Sequence, residues 1–180
     1  MINPIKRVLL SGDQIRDRVS YLAAEITNNY SDRDNLLIVS ILRGAFIFAA
    51  DLTRELDITH QIDFMALTSY HKDTSTGEVR IISDLRQPVE GRNVLIVEDI
   101  VDSGRTLRYL CQLFKERHPI SIETCVLVTK DRPTATDEPS NPDYLGFVIP
   151  DVWVVGYGLD YDDQYRTLPY IAELKPGIYQ

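Results

Sequence analysis

The sequence is poor in cysteine, in long apolar runs and in positive charge. Its two cysteines, Cys111 and Cys125, lie among apolar neighbours, which favours two reduced core thiols over a disulfide. The longest apolar region, residues 36–52, is interrupted by Arg43 and Gly44, so no membrane span is predicted. The N-terminus offers a short apolar run after a basic pair, too little for a signal peptide. We therefore expect a soluble protein of the cytoplasm.

The shortage of positive charge bears on the partners. The formal net charge is −8 and the isoelectric point is about 4.8. A general nucleic-acid binder usually carries a basic face, so none is predicted. Binding of small anionic ligands remains compatible with this charge, because a few local cations or a bound divalent metal ion can hold them. With 180 residues, 44% of them hydrophobic and 26% charged, we expect residues 1–180 to form one globular domain.

The spacing of apolar residues predicts alternating strands and helices. Ile15, Val19 and Leu22 recur at three- and four-residue intervals after Ser11, which indicates a capped helix. Continuous apolar runs indicate strands covered on both faces. The predicted strands are residues 36–42, 60–70, 79–85, 94–100, 121–130 and 152–161; the predicted helices are 14–27, 45–56 and a segment after Gly104; residues 71–78 and 132–144 are predicted loops. This order predicts an α/β fold with a mostly parallel sheet flanked by helices.

Polar residues stand where the predicted strands end. In a parallel sheet the ligand crevice lies beyond the carboxyl ends of the strands. The residues placed there are Arg43-Gly44, Ser69-Tyr70, Glu98-Asp99, Lys130-Asp131 and Asp160. Because these ends meet at one edge of the sheet, the sequence predicts a functional site at that edge.

The strongest local signal is VLIVEDIVDSGRTL, residues 94–107. The backbone N–H groups of the loop DSGRT, residues 102–106, are suited to surround one anion where a strand gives way to a helix. Glu98 and Asp99 would repel a phosphate, but they suit ribose hydroxyls or a shared Mg²⁺. The alternative is that Ser103 only caps the helix and the two acids mark a solvated strand end. The acidic pair directly before the loop favours a cradle for a sugar phosphate.

A second phosphate-binding interpretation fails. The acid-ended strand resembles the one that holds magnesium in P-loop ATPases. However, the pattern G-x-x-x-x-G-K-[ST] occurs nowhere in the chain, so nothing of that kind would hold the nucleotide phosphates.

Residues 94–107 resemble the phosphoribosyl-diphosphate (PRPP) signature of type I phosphoribosyltransferases. The segments LRG at 42–44, SY at 69–70, VTK at 128–130 and PDVWVVGYGLDYDDQYR at 150–166 are similar, in order and spacing, to the hypoxanthine-guanine phosphoribosyltransferases. The resemblance covers nearly the whole chain from the first apolar strand onward. It implies a small hood formed by N- and C-terminal segments, transfer of phosphoribose from PRPP to a 6-oxopurine, Mg²⁺ as cofactor, and a homodimer or homotetramer.

The resemblance also implies how PRPP is bound. Glu98 and Asp99 would hold the ribose hydroxyls, partly through Mg²⁺. Asp102 would lie near the purine N7 and act as the catalytic proton acceptor or orient the base. The peptide bond before Arg43 can be cis in the family. The 5′-phosphate would contact Ser103, Gly104, Arg105 and Thr106, and the diphosphate would contact Leu42, Arg43, Gly44 and Arg166. Ser69 and Tyr70 would belong to a flap that closes over the diphosphate. Asp160 would bind a second Mg²⁺.

The implied base pocket contains Lys130, Trp153, Val154 and Asp160. Lys130 would donate to the 6-oxo group, Trp153 would stack on the purine, and the carbonyls of Val154 and Asp160 would read its N1 and N2 edge. The chain departs from the common pattern at Arg43, where lysine is frequent, and at Ala45, where glycine or a small polar residue is frequent. Trp153 replaces the usual phenylalanine or tyrosine, and its larger ring changes the pocket.

Two other interpretations share this signature. A regulatory RNA-binding protein of the pyrimidine-attenuator type keeps the PRPP motif, but the acidic composition and the purine-type segment around Lys130 speak against it. A homologue without activity should have lost Glu98, Asp99 or Asp102, and all three are present. The sequence therefore favours a purine salvage enzyme.

Overall fold

The computed structural model describes residues 4–69, 79–132 and 141–179. Within those ranges the predicted helices and strands follow one another in the predicted order, and further strands accompany them. The strands are β1 (Ile5–Leu10), β2 (Leu36–Leu42), β3 (His60–Ser69), β4 (Val79–Ser83), β5 (Asn93–Val101), β6 (Ser121–Lys130), β7 (Tyr144–Ile149), β8 (Val154–Val155) and β9 (Ile171–Leu174). The helices are α1 (Gly12–Tyr30), α2 (Phe46–Glu55) and α3 (Arg105–Lys115), followed by a 3₁₀ turn at Pro176–Ile178. None of these helices has the length and apolar character needed to cross a membrane.

Helix α1 shows how local sequence sets an element. Ser11 Oγ accepts the Gln14 N–H at 3.3 Å, and the Gln14 side chain accepts the Ser11 N–H at 2.9 Å. This reciprocal cap satisfies two backbone donors that the first turn leaves unpaired. The helix runs to Tyr30, past the predicted end at residue 27, because the buried Tyr30 continues the apolar stripe.

The main sheet has six strands in the order β4-β3-β2-β5-β6-β7. The pairs β3-β2, β2-β5, β5-β6 and β6-β7 are parallel. Of the strands described in this sheet, only β4, at the edge, pairs antiparallel, with β3. Leu36 and Ile38 of β2 pack in one core with α1 and α2, whereas Leu37 and Val39 pack in a second core with α3. Burial on both faces explains the continuous apolar runs and confirms the predicted α/β fold.

A smaller antiparallel sheet, β1-β9-β8, forms the predicted hood from N- and C-terminal segments. Its centre is Glu173, which is buried and accepts from Lys6 at 2.8 Å and from Arg7 at 2.7 Å. A buried carboxylate needs such partners, because burial without them would favour its neutral form. The two ion pairs therefore fix β9 against β1.

Several predicted element boundaries were wrong. The predicted strand 152–161 is a strand only at Val154–Val155; after it the backbone turns at Gly156 and Gly158, whose φ angles are +100° and +101°. These positive φ angles are not those of an extended strand, so the strand ends there. Only glycine fits the turn, because a Cβ atom at Gly156 would lie 2.0 Å from the Tyr170 carbonyl oxygen. Strands β1, β7 and β9 were not predicted from the sequence. Predicted loop residues 71–78 and 133–140 lie outside the described residues.

Candidate active site

The crevice lies at the carboxyl ends of β2 and β5, two neighbouring strands whose connections leave in opposite directions. Such a switch point is where open α/β sheets bind ligands. Gly44 follows β2 and packs against Asp99 of β5 so closely that an added Cβ would lie 1.7 Å from Asp99 Oδ2. Gly158, from the loop after β8, packs in turn on the Gly44 carbonyl, where its own Cβ would lie 1.9 Å from the oxygen. The two glycines thus allow the segments after β2 and β8 to pack closely against each other and against β5.

Glu98 and Asp99 stand within β5, three and two residues before its end, rather than in a solvated turn. Glu98 is buried, and its Oε2 atom has no hydrogen-bond partner among the described residues. Burial, and next the charge of Asp99, raise the pKa of Glu98 to about 8; burial raises the pKa of Asp99 to about 6. A bound cation or sugar hydroxyl would stabilise the charged forms. The pair therefore suits a ligand that supplies hydroxyls or a divalent cation.

We predict that Glu98→Gln stabilises the ligand-free protein at alkaline pH. Because the folded pKa lies above the unfolded value, the folded state binds more protons between pH 4.5 and 8, and stability falls as pH rises through that window. The Glu98→Gln variant should unfold at the same temperature as the wild type near pH 4.5, but should gain roughly 2–4 kcal/mol over it at pH 8.5. Thermal unfolding at both pH values with a metal chelator measures this difference. An equal loss of stability in both proteins would contradict the prediction.

Residues 98–107 line a cavity of about 230 Å³ at the end of β5. Gly104 adopts a left-handed conformation, with φ of 71°, and precedes the first turn of α3. No side chain caps that turn, so the alternative that Ser103 serves as a helix cap is wrong. The first N–H groups of α3, which include those of Arg105 and Thr106, remain available to an anion in the cavity.

Lys130, at the end of β6, belongs to a ring of four alternating charges. Its Nζ atom lies 3.7 Å from Asp102 Oδ1 and 3.5 Å from Asp151 Oδ1. Arg132 closes the ring: its Nη1 atom is 2.6 Å from Asp102 Oδ1 and its Nε atom is 2.5 Å from Asp151 Oδ2. No role is predictable for Arg132 or Asp151 from the sequence, because only the pairing of β6 with β7 brings residue 151 near residue 130.

A second group of charges joins the loops after β2 and β8. Asp163 Oδ1 accepts from Arg43 Nη2 at 2.8 Å and from Arg166 Nη2 at 3.0 Å. Arg166 also contacts Asp160 at 2.8 Å and donates to the Gly158 carbonyl at 2.8 Å. The two arginines predicted to bind diphosphate thus meet at one exposed carboxylate, which sequence reasoning did not identify. The Leu42–Arg43 peptide bond is cis.

The remaining predicted residues lie around these groups. Trp153 is 45% exposed and stands between Asp151 and β8, and Val154 is buried in β8, paired with Glu173. Ser69 ends β3, so its backbone belongs to the same edge of the sheet. Tyr70 lies outside the described residues. The roles assigned to all of these residues stay predictions.

No cluster of three or more His, Cys, Asp and Glu side chains suited to a metal ion occurs in the described ranges. The donors that do fit Mg²⁺ are carboxylate oxygens, the ligands this ion prefers. They belong to the buried Glu98, which has the unpartnered oxygen, to the half-buried Asp99 beside it, and to Asp160 near Arg166. Because Mg²⁺ keeps several waters and is commonly shared with substrate phosphates, such a sparse donor set is compatible with it.

Residues 9–162 match the phosphoribosyl transferase domain family. The chain is 46% identical to the hypoxanthine-guanine phosphoribosyltransferase of Bacillus subtilis, covering 100% of this chain and 99% of the relative. It is 47% identical to the bifunctional protein TilS/HprT of Listeria monocytogenes, but spans only 27% of that longer protein.

A solved structure shows the same fold. The hypoxanthine phosphoribosyltransferase of Staphylococcus aureus superposes with a TM-score of 0.91 at 42% identity, covering 99% of this chain and 96% of that one. The family match, the sequence relatives and the solved structure all agree with the predicted fold and family.

Proposed function

The chain belongs to the phosphoribosyltransferase family, and we propose that it is a purine salvage enzyme. It transfers the 5-phosphoribosyl group from PRPP to hypoxanthine or guanine and releases IMP or GMP together with diphosphate. One observation carries the proposal: the anion cavity of residues 98–107 lies beside the Lys130–Asp102 pair, 3.7 Å apart. A sugar-phosphate site thus adjoins a cation able to donate to a 6-oxo group.

PRPP binding draws on three parts of the site. The first N–H groups of α3 and the hydroxyls of Ser103 and Thr106 take the 5′-phosphate. Glu98 and Asp99 take the ribose hydroxyls. The backbone of Leu42, Arg43 and Gly44, with the guanidinium of Arg166, takes the diphosphate, whose oxygens would replace Asp163 as the partner of both arginines.

The proposed cofactor is Mg²⁺, held by Glu98 and Asp99 with the ribose and by Asp160 with the diphosphate. When bound, it would offset the negative charge that builds on the leaving diphosphate. Arg166 adds a second positive charge at that position, and its donation to the Gly158 carbonyl fixes its orientation before substrate arrives.

The base is recognised through Lys130, Trp153 and the backbone around Val154 and Asp160. Lys130 donates to the 6-oxo group, so a 6-amino purine would leave that ammonium without its acceptor. As the bond from ribose C1 to diphosphate breaks, positive charge develops on the sugar and the purine nitrogen bonds to C1. Asp102 accepts the proton that the purine loses. The carboxylates of Glu98 and Asp99 stabilise the positive sugar.

The proposal is tested by measuring diphosphate release from PRPP and Mg²⁺ with hypoxanthine, guanine, xanthine, adenine and uracil offered separately. We expect turnover with hypoxanthine or guanine and none with adenine or uracil. Turnover with uracil alone would point instead to the attenuator-type relative, for which RNA binding is then measured. No turnover with any base would contradict the proposal.

We further propose that residues 1–180 act as one domain, that the protein works in the cytoplasm and that it assembles as a homodimer or homotetramer. The resemblance of the site supports the assembly, and the reduced state expected of Cys111 and Cys125 supports the compartment. Sedimentation of the purified protein distinguishes the two assemblies.

A further inference from the structure

Trp153 belongs to an aromatic group built from three separate segments. Tyr179, near the C-terminus, stacks on the indole with ring centroids 5.3 Å apart and planes 24° from parallel. Tyr161 meets the indole edge-on, at 5.7 Å and 84°. Despite these two neighbours, 45% of the Trp153 surface stays exposed. Part of Trp153 is therefore left open to a ligand, two residues along the chain from Asp151 of the ring of charges.

The segment that carries Tyr179 is fixed by hydrogen bonds rather than left as a free end. Tyr161 Oη donates to the Ile178 carbonyl at 2.9 Å, so the edge-on tyrosine also holds the residue before Tyr179. The Tyr179 N–H donates to the Pro176 carbonyl at 3.2 Å, and the Lys175 N–H donates to the Pro4 carbonyl at 2.9 Å. Trp153 is itself anchored, since its carbonyl accepts the Leu174 N–H at 3.0 Å. Both stacked rings thus rest on the hood.

We propose that Tyr179 is a positioning residue for the base: it stacks on one face of Trp153 and holds the indole ready to stack on the purine with the other. This inference rests on the proposed function. An exposed indole without such a neighbour samples several rotamers, and ordering it would oppose base binding. With Tyr179 in place, the indole is already ordered in the folded protein before the base binds. The C-terminal segment thereby contributes to base affinity without touching the base.

The inference predicts a selective effect on one substrate. In Tyr179→Ala, the KM for guanine or hypoxanthine should rise about five- to tenfold, because an ordered aromatic side chain is lost as a preformed surface. The KM for PRPP should stay unchanged, since the cavity at the end of β5 is lined by residues 98–107 and not by Tyr179. Tyr179→Phe keeps the ring and should restore the wild-type KM for the base. Tyr179→Leu keeps bulk without the ring and replaces the alanine variant if that one unfolds.

Fluorescence gives a second readout, because Trp153 is the single tryptophan of the chain. In the ligand-free protein, Tyr179→Ala should make Trp153 emission more accessible to acrylamide, whereas Tyr179→Phe should not. GMP should quench that emission in the wild type, and a higher GMP concentration should be needed in Tyr179→Ala. Tyr21→Ala is the matched control, since Tyr21 is 58% exposed on α1 and should change neither kinetics nor emission.

The outcomes separate this inference from the proposed function. Wild-type turnover with an unchanged base KM in Tyr179→Ala would overturn the inference and leave the proposed function standing. A parallel rise in both KM values, or a loss that Tyr179→Phe does not restore, would also overturn it, because either result indicates a general structural role. Absence of turnover in the wild type would overturn the proposed function itself. A rise in the base KM alone, restored by phenylalanine, supports the inference.

Discussion

Gly44→Ala is expected to lower kcat/KM for PRPP by at least about 100-fold, because displacement of reacting groups by 1 Å can cost that much. The added methyl would lie 1.7 Å from Asp99 Oδ2 and 2.5 Å from Asp99 Cγ. Asp99 cannot retreat easily, since it stands within β5, and Gly44 cannot retreat, since Gly158 packs on its carbonyl. The methyl would also fill space next to the cavity that the ribose requires. Steady-state kinetics and calorimetric titration with PRPP and Mg²⁺ measure the loss.

Gly91→Ala is the matched control for this substitution. Gly91 has a positive φ of 68°, so alanine is strained there, but apart from its chain neighbours no described residue has an atom within 4 Å of the added Cβ. This variant should lose about 1–2 kcal/mol of stability and keep its activity. Gly44→Ala should show the reverse pattern, with a greater loss of PRPP binding than of thermal stability. Full PRPP affinity in a folded Gly44→Ala protein would show that the contact between β2 and β5 does not shape the site.

Asp102→Asn is expected to lower kcat by roughly 10²- to 10⁴-fold, the range for loss of a general base. The amide has the shape of the carboxylate but cannot accept the proton that the purine loses. It also leaves Asp151 as the remaining anion between Lys130 and Arg132. The KM for PRPP should change by less than about threefold, because a group that acts in the chemical step need not hold the ground state.

Asp32→Asn controls for the loss of one negative charge, since Asp32 is exposed in the turn after α1, away from the crevice. Its kinetics should equal those of the wild type. Single-turnover measurement with enzyme in excess over PRPP separates the chemical step from product release. If Asp102→Asn left the single-turnover rate unchanged, Asp102 would not be the proton acceptor, and its place beside Lys130 would have to serve base orientation alone.

The sequence determined the parts of the site whose information is local. Residues 94–107 join an apolar strand, an acidic pair and a loop at a helix start, so neighbours in sequence are also neighbours in the site. Burial of β2 and β5 on both faces leaves a continuous apolar run, which identifies a central strand without further data. The cap of α1 at Ser11 was also predictable, because the residues that form it are close in sequence.

Tertiary structure decided everything that depends on contacts between distant residues. β1 and β9 have weak strand signals of their own, because an exposed basic pair interrupts the first and a buried acid the second; each is stabilised by pairing with the other. The ring of Lys130, Asp102, Arg132 and Asp151 requires β7 beside β6, and β7 itself was missed in the sequence. Tyr179 reaches Trp153 only because the hood returns the C-terminal segment to β8. No spacing of residues encodes such contacts, since they arise when separate segments pack together.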